Sequence, residues 1–101
     1  MSVTRQLDDT HSEVKISVDG RFDFSLHKLF RDAYRDLSPA SMRFIVDLGA
    51  ATYLDSSALG MLLLLREHAG GDRAQVRIVN AKGDVLRVLK IANFDRLFAF
   101  D

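Results

Sequence analysis

The chain has no cysteine, which excludes disulfides and thiolate metal sites and permits a reducing compartment. It has no excess of charge: 14 basic residues offset 14 acidic ones, for a formal net charge of zero. Binders of nucleic acid and of membrane surfaces usually show a basic excess, so no nucleic-acid partner is expected. Long apolar runs are also missing. The longest, Leu59 to Leu65, is broken by Gly60 and falls far short of the roughly 20 residues of a membrane span, so no direct membrane insertion is expected. The opening "MSVTRQLDDTH" lacks an apolar core and a cleavage signature, and a cytoplasmic domain is the expectation. Proline occurs once, at Pro39. There is no P-loop, no dinucleotide fingerprint and no G-x-S-x-G elbow. His11, His27 and His68 fall on different segments without metal-ligand spacing. These absences point away from an enzyme, a cofactor and a metal centre.

What is present fits one domain, residues 1–101, at 48% hydrophobic and 28% charged. "SVTRQL" alternates weakly and predicts an edge strand. "EVKISVDG" alternates clearly, with Val14, Ile16 and Val18 on one face, and predicts a half-buried strand ending at the Asp19-Gly20 turn signal. Leu26, Leu29, Phe30, Ala33, Tyr34 and Leu37 form one helical stripe, with Ser25 able to cap its start and Ser38-Pro39 ending it. "MRFIVDL" predicts a central strand covered on both faces. "SSALGMLLLLREHAGG" predicts a helix stopped by Gly70-Gly71, "AQVRIVNA" a strand, and "GDVLRVLKIAN" a helix with Val85, Val88, Leu89 and Ala92 inward. "FDRLFAFD" closes the chain with a short strand or turn. The predicted order is β-β-α-β-α-β-α-β, an α/β domain whose mixed sheet has four to five strands and helices mainly on one face.

The segment "DLGAATYLDSSALGMLLLL" carries the functional signal. Sites in such folds gather where strands end and helices begin. Ser56 and Ser57 stand at such a corner. A serine there usually caps the helix, worth about 1 kcal/mol, and Asp55 could do the same job. The helix that follows has no polar side chain from Ala58 to Leu65. A helix apolar all round is hard to bury in a domain this small, so one edge is expected to face outward and meet a partner.

The string "DLGAATYLDSSALG" resembles the signature of STAS domains, in particular the bacterial anti-sigma-factor antagonists: a strand ending in D-L, a short loop, then D-S-[ST]-G-L-G opening a helix. "VDGRFDF" is similar to the family's G-x-[LF]-D turn, and "VLRVLKIANFDRLFAF" to its closing helix and strand. Ala58 stands where the family usually has glycine, and the family's last helix is expected to be short or missing. The resemblance implies that Ser56 is phosphorylated by a partner kinase. The unphosphorylated form would bind an anti-sigma factor, often itself a serine kinase of the histidine-kinase-like ATPase type. Phosphorylation would release it, and a PP2C-type phosphatase would reset the switch. By the same match, Asp23, Asp55, Ser57, Ala58, Gly60, Met61 and Leu64 would form the partner-binding surface. Asp23 reads otherwise as a solvated turn aspartate or a cap for the next helix. Ser57 would be a cap or minor phosphoacceptor, and Gly60 would admit a neighbouring backbone or be a helix glycine tolerated for packing. Arg87 and Lys90 read as a solvated face. Two alternatives stay open: a scaffold subunit of a membrane lipid-type ABC transporter, and a phospho-switch acting on another signalling enzyme in biofilm or motility control.

Overall fold

The computed structural model describes residues 2–37 and 42–100. β1 (Ser2–Asp8) and β2 (Glu13–Phe22) pair antiparallel. They are followed by α1 (His27–Asp32), β3 (Arg43–Asp47), β4 (Ala51–Leu54), α2 (Ser56–His68), β5 (Val76–Val79), α3 (Gly83–Ile91) and β6 (Ala99–Phe100). The sheet runs β1-β2-β3-β5-β6, with β4 set against the end of β2. The pairings β2–β3, β2–β4, β3–β5 and β5–β6 are parallel, so the sheet is mixed, as the strand–helix alternation requires.

Register builds the core. Val14, Phe44 and Val76 line up across three strands, and Ile16, Val46 and Ile78 form the next row. None of the six exceeds 6% exposure, and each such side chain contributes roughly 1.5–3 kcal/mol by leaving water. Lys15, Ile45 and Arg77, on the alternate row, are half-buried or exposed. One face is therefore packed and the other open. This corrects the reading of β3: it is central, but it is covered on one face only, and Ile45 belongs to the open side.

The sixth strand, β4, lies where a plain loop was expected. It exists because β2 does not stop at Asp19-Gly20. Gly20 takes a φ of +86°, a conformation that favours glycine. The pairing with β4 shifts register between Gly20 and Arg21, which makes this a bulge instead of a turn. Before it, β2 pairs with β3; after it, β2 continues to Phe22 and pairs with β4.

The first helix is also shorter than its stripe. A 3₁₀ turn, Phe24–Leu26, precedes α1. After Asp32 the chain continues in turns, with Arg35 N–H donating to Arg31 O at 3.0 Å. Ser25 does not cap this helix. Asp23 caps the 3₁₀ turn before it, accepting from Ser25 N–H at 3.0 Å, and α1 itself has Leu26 at its N-cap position, without a side-chain cap. Leu26, Phe30, Ala33 and Tyr34 are buried, whereas Leu29 is 52% exposed. The predicted stop at Ser38-Pro39 lies outside the described residues. The helix from Ser56 ends at His68, with Gly70 and Gly71 at φ +122° and +62°, as the Gly-Gly stop predicts. In α3, Val85 and Leu89 are buried and Val88 and Ala92 pack beside them.

Candidate functional site

β2 and β4 end together. Arg21 pairs with Tyr53 and Phe22 with Leu54. The next residues, Asp23 and Asp55, therefore leave the sheet from adjacent strand ends and each starts a helical turn. Asp55 is the N-cap of α2: its Oδ1 accepts from Ala58 N–H at 3.1 Å. An aspartate here also suits the helix dipole. The cap duty that a serine might have held thus falls to Asp55, and Ser56 is the exposed first residue of the helix. Ser57, the second, is half-buried.

The burial pattern of α2 divides the expected surface in two. Ala58, Met61, Leu62 and Leu65 are buried, at i, i+3, i+4 and i+7. Opposite them run Ser56, Gly60, Leu63, Leu64 and Glu67. Leu63 is 39% and Leu64 54% exposed, so the apolar helix does turn one greasy edge outward. Two expected contact residues are corrected. Ala58 is 0% and Met61 4% exposed; both belong to the core and present no partner surface. For Gly60 one of the two readings is corrected: a Cβ built there meets no atom within 4 Å beyond its own helix, so no neighbouring backbone of this fold approaches it.

Electrostatically the corner is acidic with one cation. The Ser25 hydroxyl, then the Ser25 backbone N–H, hold the Asp23 carboxyl below the ordinary carboxylate range. Arg21 Nε lies 3.6 Å from Asp23 Oδ2, and its guanidinium sits 3.9 Å from the centre of the Tyr53 ring. Behind the corner, Asp47 at the end of β3 ties the strand ends together. Its Oδ1 accepts from Gly49 N–H at 2.8 Å and Asn80 Nδ2 at 3.1 Å, and Lys15 Nζ stands 3.2 Å from Oδ2.

Phe24 escaped sequence reasoning. It follows Asp23, is 67% exposed, and stacks on His27 at 5.2 Å between ring centres. An aromatic in an amphipathic segment reads as core, and only its place directly after the cap signals otherwise. Tyr53 was missed with β4, and Arg21 with the stretch of β2 that continues past Gly20. Arg87 and Lys90 are exposed on α3, and Arg87 pairs with Asp84 at 3.0 Å. Among the described residues, no helix is long and apolar enough to cross a membrane, and no group of three His, Cys, Asp or Glu side chains could hold a metal ion.

Comparison with known proteins agrees with this architecture. The family profile described as "Mlab, STAS domain" matches residues 6–99. A STAS-domain containing protein of Pseudomonas aeruginosa (strain UCBPP-PA14) is 50% identical over 98 residues, covering 97% of each chain. Among solved structures, an anti-sigma factor antagonist from Mycobacterium paratuberculosis superposes with a TM-score of 0.74 at 24% identity, covering 98% of this chain and 85% of that one. The anti-sigma factor antagonist SpoIIAA in its unphosphorylated form gives 0.72 at 16%, covering 99% and 87%. Its phosphorylated form gives 0.67 at 13%, covering 99% and 91%. At these identities the structural likeness is one of fold.

Proposed function

Because the chain belongs to the STAS-domain family, we propose that it acts as an anti-sigma-factor antagonist, a protein-binding switch thrown by phosphorylation of Ser56. One observation carries the reading. Ser56 is exposed, is relieved of capping by Asp55, and heads the outward stripe that contains Leu63 and Leu64. The occurrence of SpoIIAA in unphosphorylated and phosphorylated forms on the same fold supports it.

In the unphosphorylated state, Asp23, Asp55, Ser57, Gly60 and Leu64, with Phe24 and Leu63, bind an anti-sigma factor that is a serine kinase of the histidine-kinase-like ATPase type. A PP2C-type phosphatase restores that state. The domain binds and does no chemistry of its own. A phosphate on Ser56 is tolerated by the fold, because a helix N-terminus offers N–H groups and a favourable dipole. Against a seated partner it brings close to two negative charges beside Asp55 and next to exposed leucines. Burying that charge against the partner costs several kcal/mol, and each 1.4 kcal/mol is about tenfold, so affinity falls by roughly a hundredfold or more.

Intact-mass spectrometry on protein from its own host, wild type beside Ser56→Ala, tests this. A single phosphate, about 80 Da, in wild type and absent from the mutant supports the switch. Its absence under every growth condition, even with the phosphatase inactivated, sinks it. The exposed Leu63–Leu64 edge would serve a constitutive partner equally well. A phosphate-free protein that still captures membrane transporter components would favour the scaffold reading. A phosphoprotein whose client is a signalling enzyme of biofilm or motility control would keep the switch and change its output.

A further inference from the structure

Arg21 fills the variable position of the G-x-F-D turn, and the sequence pattern assigns it no role. The β2–β4 register fixes its surroundings. Phe22 and Leu54 are paired and buried. Alternation turns Arg21 and Tyr53, one step before them, to the opposite side, together with Asp23 and Asp55 one step after. Neighbouring strands are about 4.8 Å apart, so these four side chains share one small outward patch at the foot of α2. Ser56 follows Asp55 directly. Within this group Arg21 is the one cation. It is 57% exposed, and its 3.6 Å contact to Asp23 is longer than a hydrogen bond. Its other contact is the face of the Tyr53 ring at 3.9 Å, a weak attraction at an exposed site.

We propose that Arg21 is the phosphate clamp of this switch: once Ser56 is phosphorylated, the guanidinium leaves Tyr53 and Asp23 and takes the phosphate oxygens. The inference rests on the reading of Ser56 as the phosphoacceptor. A guanidinium binds paired phosphate oxygens through a planar fork of charge-assisted hydrogen bonds, stronger than a long ion contact or an exposed ring stack. Without such a cation the phosphate would face only the carboxylates of Asp55 and Asp23. The move has a second effect. It uncovers the Tyr53 ring and strips Asp23 of its counter-charge, so the released surface differs from the binding surface by more than the phosphate itself.

The test uses full-length protein with phosphoserine inserted at position 56 during translation, so that no kinase is needed. The phosphate is titrated by phosphorus NMR. A guanidinium on the phosphate favours the dianion and lowers the second pKa below its ordinary value of about 6. Arg21→Gln should raise that pKa by roughly half a pH unit. Arg21→Lys should lie between the two, and Arg87→Gln on α3 should leave it unchanged. In a Tyr34→Phe background Tyr53 is the sole tyrosine, since the chain has 2. Its fluorescence should change on phosphorylation in the parent and not in Arg21→Gln. A phosphorylated Arg21→Gln protein with the parent's titration curve overturns the clamp and leaves the switch standing. Absence of phosphate in cells overturns the switch without touching the titration.

Discussion

Met61 and Leu64 are neighbours in an all-leucine-and-methionine run, and the structure gives them opposite fates. Met61 keeps 4% of its surface and Leu64 keeps 54%. Truncating Met61 to alanine empties space in a packed interior next to Leu62 and Leu65, both 0% exposed, at a cost of about 2–5 kcal/mol. For a domain of this size 1 kcal/mol moves the melting temperature by about 4–8 °C, so Met61→Ala should melt at least about 8 °C lower. Total stabilities of about 5–15 kcal/mol leave the variant folded at low temperature. Leu64→Ala removes atoms that water already reaches. Its cost should stay within about 0.5 kcal/mol, while affinity for the captured partner falls about tenfold. Far-UV circular dichroism melts suit a chain without tryptophan, and a pull-down under folded conditions reads the binding. Equal destabilisation by both substitutions, or a binding loss confined to folded Met61→Ala, would refute the assignment of the two faces of α2.

Gly60→Ala adds a Cβ into open space in the interior of a helix, which should raise stability by about 0.5–1 kcal/mol in a urea melt; a lower midpoint would mean that this space is occupied. Burial raises the Asp47 pKa, but hydrogen bonds from Gly49 and Asn80 and the contact with Lys15 outweigh it, so the folded-state pKa lies below the ordinary 3.8. The unfolded state therefore binds the proton first: the contribution of Asp47 is complete above about pH 4 and fades as pH falls through the folded-state pKa. Urea midpoints from about pH 6 to about pH 3 should accordingly fall less steeply for Asp47→Asn than for wild type, and parallel curves would contradict this. Phe24→Ala should change stability by no more than about 0.5 kcal/mol yet weaken partner capture about tenfold or more; surface plasmon resonance with an unchanged affinity would remove Phe24 from the interface.

The elements that alternate cleanly were legible. Val14, Ile16 and Val18 announced β2, and Val85, Val88, Leu89 and Ala92 announced α3, because period alone orients such segments. The run from Met61 to Leu65 could not be oriented. It points apolar groups in every direction, so it predicts that one edge is left over without saying which. Only tertiary packing decides that Met61, Leu62 and Leu65 go in and Leu63 and Leu64 stay out. Leu29 was misread because it lies at the rim of an arc centred near Phe30, where an i+3 spacing fits the stripe but the covering layer has ended. Asp19-Gly20 is ambiguous in itself, since a tight turn and a bulge both call on a glycine with positive φ. β4 has four residues, with Thr52 and Tyr53 both exposed. Nothing in its pattern marks a strand until β2 is known to continue past the bulge. Missing β4 also hid the pairing that brings Arg21, Asp23, Tyr53 and Asp55 together, although Asp23, Asp55 and Ser56 were each legible from their motifs.

The division of α2 bears on how a phosphate would act. The chain carries 14 charges of each sign, so a phosphoserine shifts its net charge from zero to about −2. At physiological ionic strength that charge is screened beyond about 8 Å. A partner still approaching through water meets little of it. A seated partner displaces the water that screens it, and the same charge then stands against desolvated groups at the mouth of α2. In the proposed switch, phosphorylation therefore acts chiefly by speeding departure, with a smaller effect on encounter. The fold is spared for a separate reason. The stripe Ala58, Met61, Leu62 and Leu65 that fixes α2 to the sheet shares no position with the stripe Ser56, Gly60, Leu63 and Leu64 that faces out. The cap at Asp55 contacts Ala58 N–H and not the Ser56 hydroxyl. A charge added at Ser56 enters where the helix dipole favours it and leaves the inner stripe untouched, so binding can be switched off while stability is kept.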